Sequence, residues 1–366
     1  MNINLSADLW EYLAQAEKAI VLYGMGNGAD KILDACAQKG ISVRDCFASD
    51  GFVRKKCFHG MEVKAWDDIK HIYGAQNVIV LLSFGTSRPE VLENILRIAN
   101  ECELYAPDVP AFGDGLFDRA FFEAHKDELE RAYRLLSDDE SKRIYENVIR
   151  FKLTGRIQYL MDAESDPEAV MRDLICPSAL GITADFGAYN GDTVRELLDA
   201  CNGSIHTVYA LEPDARNYKK LASYAETEAR AKVLPVPVGA WSEQTVLFFE
   251  DSGNRNASFG QNRSHSLDAR PTKVKEIAAD APDHILKDVK VDYLKYDVEG
   301  SEKEALLGSV RTIRSCSPTL LVSLYHRNED IFSLPILLHE LFPQYRQYYL
   351  RRFRGVPAWD LNLYVK

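Results

Sequence analysis

Along the chain, strand-length apolar runs alternate with segments whose apolar residues recur every three or four positions. These two patterns separate buried strands from amphipathic helices. Residues 19–23 form the first apolar run, followed by Gly24-Met25-Gly26-Asn27-Gly28-Ala29 and a helical pattern with Ile32, Leu33 and Cys36 on one face. A second run at 41–48 ends near Asp50, and a third at 77–84 precedes a helical stretch over about 88–101. Strand, turn and helix in repeated alternation predict a parallel α/β domain.

After Phe112 the period becomes helical. Ser137-Asp138-Asp139-Glu140 reads as a capping box ahead of a helix carrying Tyr145, Val148 and Ile149, and Gly155 is placed to end it. Residues 115–176 are therefore read as a helical connector between a domain at 1–114 and another at 177–366. In the latter, strands are predicted near 182–186, 207–211, 233–238, 291–296 and 320–325. Runs at 345–353 and 361–365, separated by Gly355-Val356-Pro357, predict an antiparallel hairpin at the sheet edge. The fold class is α/β, with two Rossmann-like domains joined by the connector, and the 366 residues suit that count.

Composition narrows the partners. Acidic residues exceed basic ones to give a net charge of −11, which repels phosphate backbones and anionic membranes, so neither nucleic acid nor membrane is expected as a partner. No apolar run approaches the roughly 18–20 residues of a membrane helix. Met1 to Trp10 lacks the basic and apolar segments of a secretory signal, so the expected location is the cytoplasm. The seven cysteines form no C-x-x-C pair and are read as free, mostly buried thiols. A homo-oligomer is compatible with this composition. The charges of Leu350-Arg351-Arg352-Phe353-Arg354 read as a solvated face on an edge strand.

Candidate chemistry gathers at predicted strand tips. Asp185-Phe186-Gly187-Ala188-Tyr189-Asn190-Gly191-Asp192 lies where the first strand of the second sheet turns into a helix, the ligand-binding edge of such folds. Gly187 and Gly191 would let the backbone approach a ligand, and Asp185 offers a carboxylate. The next strand ends in Leu211-Glu212-Pro213, with Glu212 twenty-one residues after Gly191, a position suited to the two hydroxyls of a ribose. Two later strands end in Lys295-Tyr296-Asp297-Val298-Glu299-Gly300-Ser301-Glu302 and in Tyr325-His326-Arg327, whose tips are expected to face one crevice.

In this order, the set resembles the FkbM family of S-adenosylmethionine-dependent methyltransferases, whose segments take the form D-x-G-A-x-x-G-D, E-P, K-x-D-V-E-G-x-E and Y-H-R. The resemblance spans about Gly181 to Lys366. It implies a class I methyltransferase sheet and methyl transfer from S-adenosylmethionine to an oxygen, a hydroxyl of a sugar, glycan or related small metabolite. Asp185, Gly187, Gly191 and Asp192 would then lie at the cofactor, and Glu212 would hold its ribose.

For the acceptor's proton, His326 and Asp297 both stand as candidates: imidazole titrates near neutrality, and a strand-tip carboxylate is well placed. Asp297 and Glu299 also suit a divalent ion such as Mg²⁺ that would acidify the hydroxyl. Glu299 is alternatively a charge stabilising a helix N-terminus, and His326 a structural histidine bridging to backbone. In the N-terminal part, Gly24, Gly26 and Ala29 fit G-x-G-x-x-A, with Asp50 at dinucleotide spacing. That spacing keeps open an NAD-dependent sugar oxidoreductase or epimerase, a nucleotide-sugar site, or a non-catalytic nucleotide-binding scaffold.

Overall fold

The computed structural model describes residues 1–49, 57–113, 115–251, 258–259 and 273–366. It divides into two units, the first made of Met1–Glu130, Asp139–Glu164 and Arg352–Asp360, the second of Arg131–Asp138, Ser165–Arg351 and Leu361–Lys366. The helical stretch 115–176 is thus shared between them. Among the described residues, no helix is long and apolar enough to cross a membrane.

The first unit holds a six-stranded sheet of β1 (Ala19–Tyr23), β2 (Val43–Phe47), β3 (Cys57–Phe58), β4 (Met61–Lys64), β5 (Val78–Leu82) and β6 (Glu103–Tyr105), in the order β3-β4-β2-β1-β5-β6. Every pairing except β3 with β4 is parallel. β5 is buried at all its positions, as a Val/Ile/Leu strand covered on both faces should be. The helix Asn27–Gln38 turns Ala29, Ile32 and Cys36 inward. The glycines around its start are demanded by the chain's own packing. A Cβ at Gly28 would lie 2.3 Å from the Ser83 carbonyl oxygen, and one at Gly24, whose φ is +114°, 2.6 Å from Ser83 Oγ. Asp50 lies outside the described residues.

The second unit carries β7 (Ile182–Phe186), β8 (Thr207–Leu211), β9 (Lys232–Val236), β10 (Gly239–Ala240), β11 (Thr245–Asp251), β12 (Ser258–Phe259), β13 (Lys273–Asp280), β14 (Tyr293–Tyr296), β15 (Thr319–Ser323), β16 (Tyr348–Arg352) and β17 (Leu361–Val365). Seven of them form one sheet in the order β16-β17-β15-β14-β7-β8-β9. β14 lies parallel to both β7 and β15, while β17 returns antiparallel to β15. The remaining four form a small sheet, β10-β13-β11-β12, which the apolar pattern did not isolate.

Three expectations need correction. Arg351 and Arg352 are buried, not solvated: Arg351 grips Asp138 through both terminal nitrogens, at 2.6 and 3.3 Å, and Arg352 donates to the carbonyls of Leu160 and Gly355. Edge-strand charges enter a core when carboxylates or carbonyls receive the terminal nitrogens of the guanidinium fork. The predicted capping box does not form at Ser137, because the helix Asp139–Thr154 begins later and Ser137 Oγ accepts the Tyr348 N–H at 2.8 Å. Gly155 does close that helix, with φ +65° and its N–H on the Phe151 carbonyl. All seven cysteines are free thiols, but only Cys36, Cys46 and Cys201 are buried, and Cys57 is exposed.

Candidate active site

The tips of β7, β8, β14 and β15 line one edge of the large sheet, because those strands run parallel and end in register. Lys295 pairs with Asp185 across β14 and β7, and Phe186 with Leu211 across β7 and β8. β7 then enters the turn Gly187–Gly191. Gly187 has φ +87°, and a Cβ there would lie 1.9 Å from the Asp297 carbonyl oxygen. Gly191 has φ +84°, and its Cβ would meet the Tyr224 ring at 2.5 Å. Both glycines are therefore required by contacts within the protein, whatever they do for a ligand.

Asp185 is buried and satisfied from two sides: Lys295 Nζ donates to Oδ1 at 2.9 Å and Thr193 Oγ1 to Oδ2 at 2.5 Å. Burial alone would lower the Lys295 pKa, but Asp185 and Asp297 outweigh it and hold the ammonium charged. Asp192 is exposed at the start of the helix Asp192–Ala200, where its carboxylate accepts the Thr193 N–H. Glu212 is 6% exposed and accepts the backbone N–H groups of Tyr189 and Asp214 at 2.9 and 2.8 Å. Burial nonetheless pushes its carboxyl up to about 7. In the glycine turn, Asn190 Oδ1 is buried with no hydrogen-bond donor.

On the other side of the glycine turn the tips of β14 and β15 converge, as expected. Tyr325 donates to Asp297 Oδ1 at 2.8 Å. His326 is 2% exposed, and its ring nitrogens face carboxylates: Nδ1 lies 2.8 Å from Glu302 Oε1, and Nε2 lies 3.6 Å from Asp297 Oδ1 and 3.7 Å from Glu299 Oε2. Burial would lower the imidazole pKa, but Glu302, Asp297 and Glu299 push it up to about 10. These carboxylates favour the protonated form of the ring. Burial would raise Asp297, yet Lys295 and His326 hold it below the ordinary carboxylate range.

Glu299 and Gly300 both have left-handed φ, +54° and +88°, which turn the chain sharply off β14. The carboxylate that takes up N–H groups at this turn, before the helix Glu302–Leu307, is Glu302, from Val298 at 3.0 Å and Gly300 at 3.4 Å. Glu299 instead turns toward His326. Asp297, Glu302 and His326 bring ligating atoms within 4.8 Å of one another, a set able to hold a metal ion.

Lys295, Thr193, Glu302 and Tyr325 were given no role by sequence reasoning. Lys295 and Glu302 do stand at fixed places in the segment after β14, but their partners are 110 and 24 residues away, and no local pattern encodes such pairings.

Residues 185–354 match the family described as Methyltransferase FkbM domain. Among solved structures, methyltransferase FkbM from Methylobacillus flagellatus KT is similar with a TM-score of 0.68 at 19% identity, over 96% of this chain and 90% of that one. At that identity the fold is what is shared. An rRNA methylase from Streptococcus thermophilus is similar over 55% of this chain and 96% of its own, at 11% identity, but its TM-score of 0.35 carries no argument. No curated protein matches. Strand order, glycine turn and family match agree on one part of the chain: residues 185–354 are similar to the FkbM methyltransferase domain, and the fold is that of a solved methyltransferase of that name.

Proposed function

We propose that this domain methylates a hydroxyl oxygen of a sugar, glycan or related small metabolite. The observation that carries the reading is the division of the sheet edge around the glycine turn. On one side stands Glu212, a carboxylate with remaining acceptor capacity, and on the other the cluster of Asp297 and His326. Glu212 suits a ribose, since each of its oxygens takes one backbone N–H and retains a lone pair for a hydroxyl donor. Asn190 Oδ1 in the glycine turn, which has no donor, is a second polar atom for a ligand to satisfy.

When bound, S-adenosylmethionine supplies a methyl group on a positively charged sulfur, open to in-line displacement. The protein's share is to align the hydroxyl, exclude water and receive the proton. Asp297 is the group that suits the last task. As a new C–O bond forms, the hydroxyl hydrogen becomes strongly acidic, so a carboxylate kept ionised by Lys295 is a sufficient acceptor. His326 stands beside this carboxylate, its Nε2 3.6 Å from Asp297 Oδ1. The −11 net charge favours an uncharged acceptor over nucleic acid.

The test is calorimetric titration of the full chain with S-adenosylhomocysteine, NAD and a uridine-diphosphate sugar, followed by transfer of labelled methyl to candidate hydroxyl acceptors. Saturable binding of S-adenosylhomocysteine with base-stable label in an ether product supports the reading. Binding of NAD or the nucleotide sugar alone overturns it.

A further inference from the structure

We propose that Asp297, Glu299 and His326 hold a divalent cation at the strand tips, with Glu302 fixing the imidazole behind them. The inference deepens the methyl-transfer reading and rests on it for the ion's role. His326 Nε2 lies 3.6 Å from Asp297 Oδ1 and 3.7 Å from Glu299 Oε2. Donor atoms each about 2.0–2.2 Å from one ion are spaced only slightly more closely. The far ring nitrogen, Nδ1, is 2.8 Å from Glu302 Oε1. A carboxylate behind a histidine in this way orients the ring and makes its front nitrogen a better ligand.

An independent observation concerns charge. The Glu302 side chain is 1% exposed, and its Oε2 is buried without a hydrogen-bond donor. Buried carboxylate oxygens are rarely left so, and the remedy is positive charge close by. Lys295 does not supply it to this side: its ammonium is held by Asp185 at 2.9 Å and approaches only the other oxygen of Asp297, at 3.7 Å. Three carboxylates thus converge on one imidazole. Glu299, with its side chain 54% exposed, leaves the cluster open to solvent and to an acceptor.

The donor set decides the class of ion. One imidazole with two carboxylates suits Mn²⁺ better than Mg²⁺, which prefers oxygen donors alone. The ion's task is to polarise the acceptor hydroxyl. The O–H proton passes to the Asp297 carboxylate, the oxygen forms its bond to the methyl carbon, and the C–S bond breaks with its electron pair remaining on sulfur.

The experiment is titration of the chelator-treated full chain with Mn²⁺, read by calorimetry and by Mn²⁺ electron paramagnetic resonance, with S-adenosylhomocysteine titrated separately. One Mn²⁺ per chain is expected. Glu302→Gln should weaken it about 10- to 100-fold, and Glu299→Gln at least about tenfold while keeping S-adenosylhomocysteine affinity. Glu299 is exposed, so its variant tests the site even if the buried variant fails to fold. Absence of Mn²⁺ binding up to millimolar concentration, or binding that Glu299→Gln leaves unchanged, overturns the proposal. Mn²⁺ binding without S-adenosylhomocysteine binding would instead keep the ion site and remove the methyl-transfer reading.

Discussion

Lys295 and Asp185 face each other on adjacent parallel strands with Nζ and Oδ1 2.9 Å apart, both almost removed from solvent. A buried pair of this kind is costly to break from one side, because the remaining charge loses its partner without regaining water. Asp185→Ala should therefore lower unfolding stability by about 3–5 kcal/mol in a denaturant titration. Adding Lys295→Met should recover a large part of that loss. If Asp185→Ala keeps full stability and loses only cofactor binding, the carboxylate serves the ligand and not the sheet.

The collision at Gly187 separates backbone strain from packing. Gly187→Ala carries both a left-handed φ and a Cβ 1.9 Å from the Asp297 carbonyl, whereas Gly203→Ala carries φ +81° with open space around it. Strain alone costs about 1–3 kcal/mol. Thermal unfolding of the two variants should show Gly203→Ala near the low end of that range and Gly187→Ala well beyond it.

Glu212 gives a pH dependence with a defined sign. Its folded carboxyl titrates at about 7, above the ordinary value of 4.5, chiefly through burial. The stability this confers is complete below the ordinary value and is lost as pH rises through 7, in all about 3 kcal/mol. Between pH 5 and 8 the ligand-free wild type should lose stability relative to Glu212→Gln. Hydroxyl donors of a ribose favour the ionised form, so affinity for S-adenosylhomocysteine should fall about tenfold from pH 8 to pH 6. A flat profile in wild type would remove Glu212 from the ribose site.

Tyr325 donates to the same Asp297 oxygen that faces His326. Tyr325→Phe should reduce kcat about tenfold, the worth of one hydrogen bond to a charged group, while leaving S-adenosylhomocysteine affinity unchanged in calorimetry. Equal losses in both would place the tyrosine in cofactor binding.

The strand-tip chemistry was legible because parallel α/β folds put chemistry at a predictable edge. Asp185, Glu212, Asp297 and His326 could be assigned to tips from apolar runs and turns alone. Less legible was who answers whom. That His326 faces three carboxylates follows from the segments just beyond β14 and β15 meeting in space. The small second sheet escaped for a different reason. On β11, Val246 and Phe248 are 51% and 57% exposed, so its apolar residues point outward and mimic neither a buried run nor an inward alternation. Arg351 and Arg352 were misplaced because charge signals solvent until a partner far along the chain, such as Asp138, is known.

The stretch Arg352–Asp360 belongs to the first unit, where Val356 exchanges backbone hydrogen bonds with Thr86 and Trp359 lies where a Cβ on Gly85 would stand. During synthesis, residues 353–360 leave the ribosome after every strand of the seven-stranded sheet except β17. The first unit is thus begun before the second, yet its last piece is made only after most of the second has been.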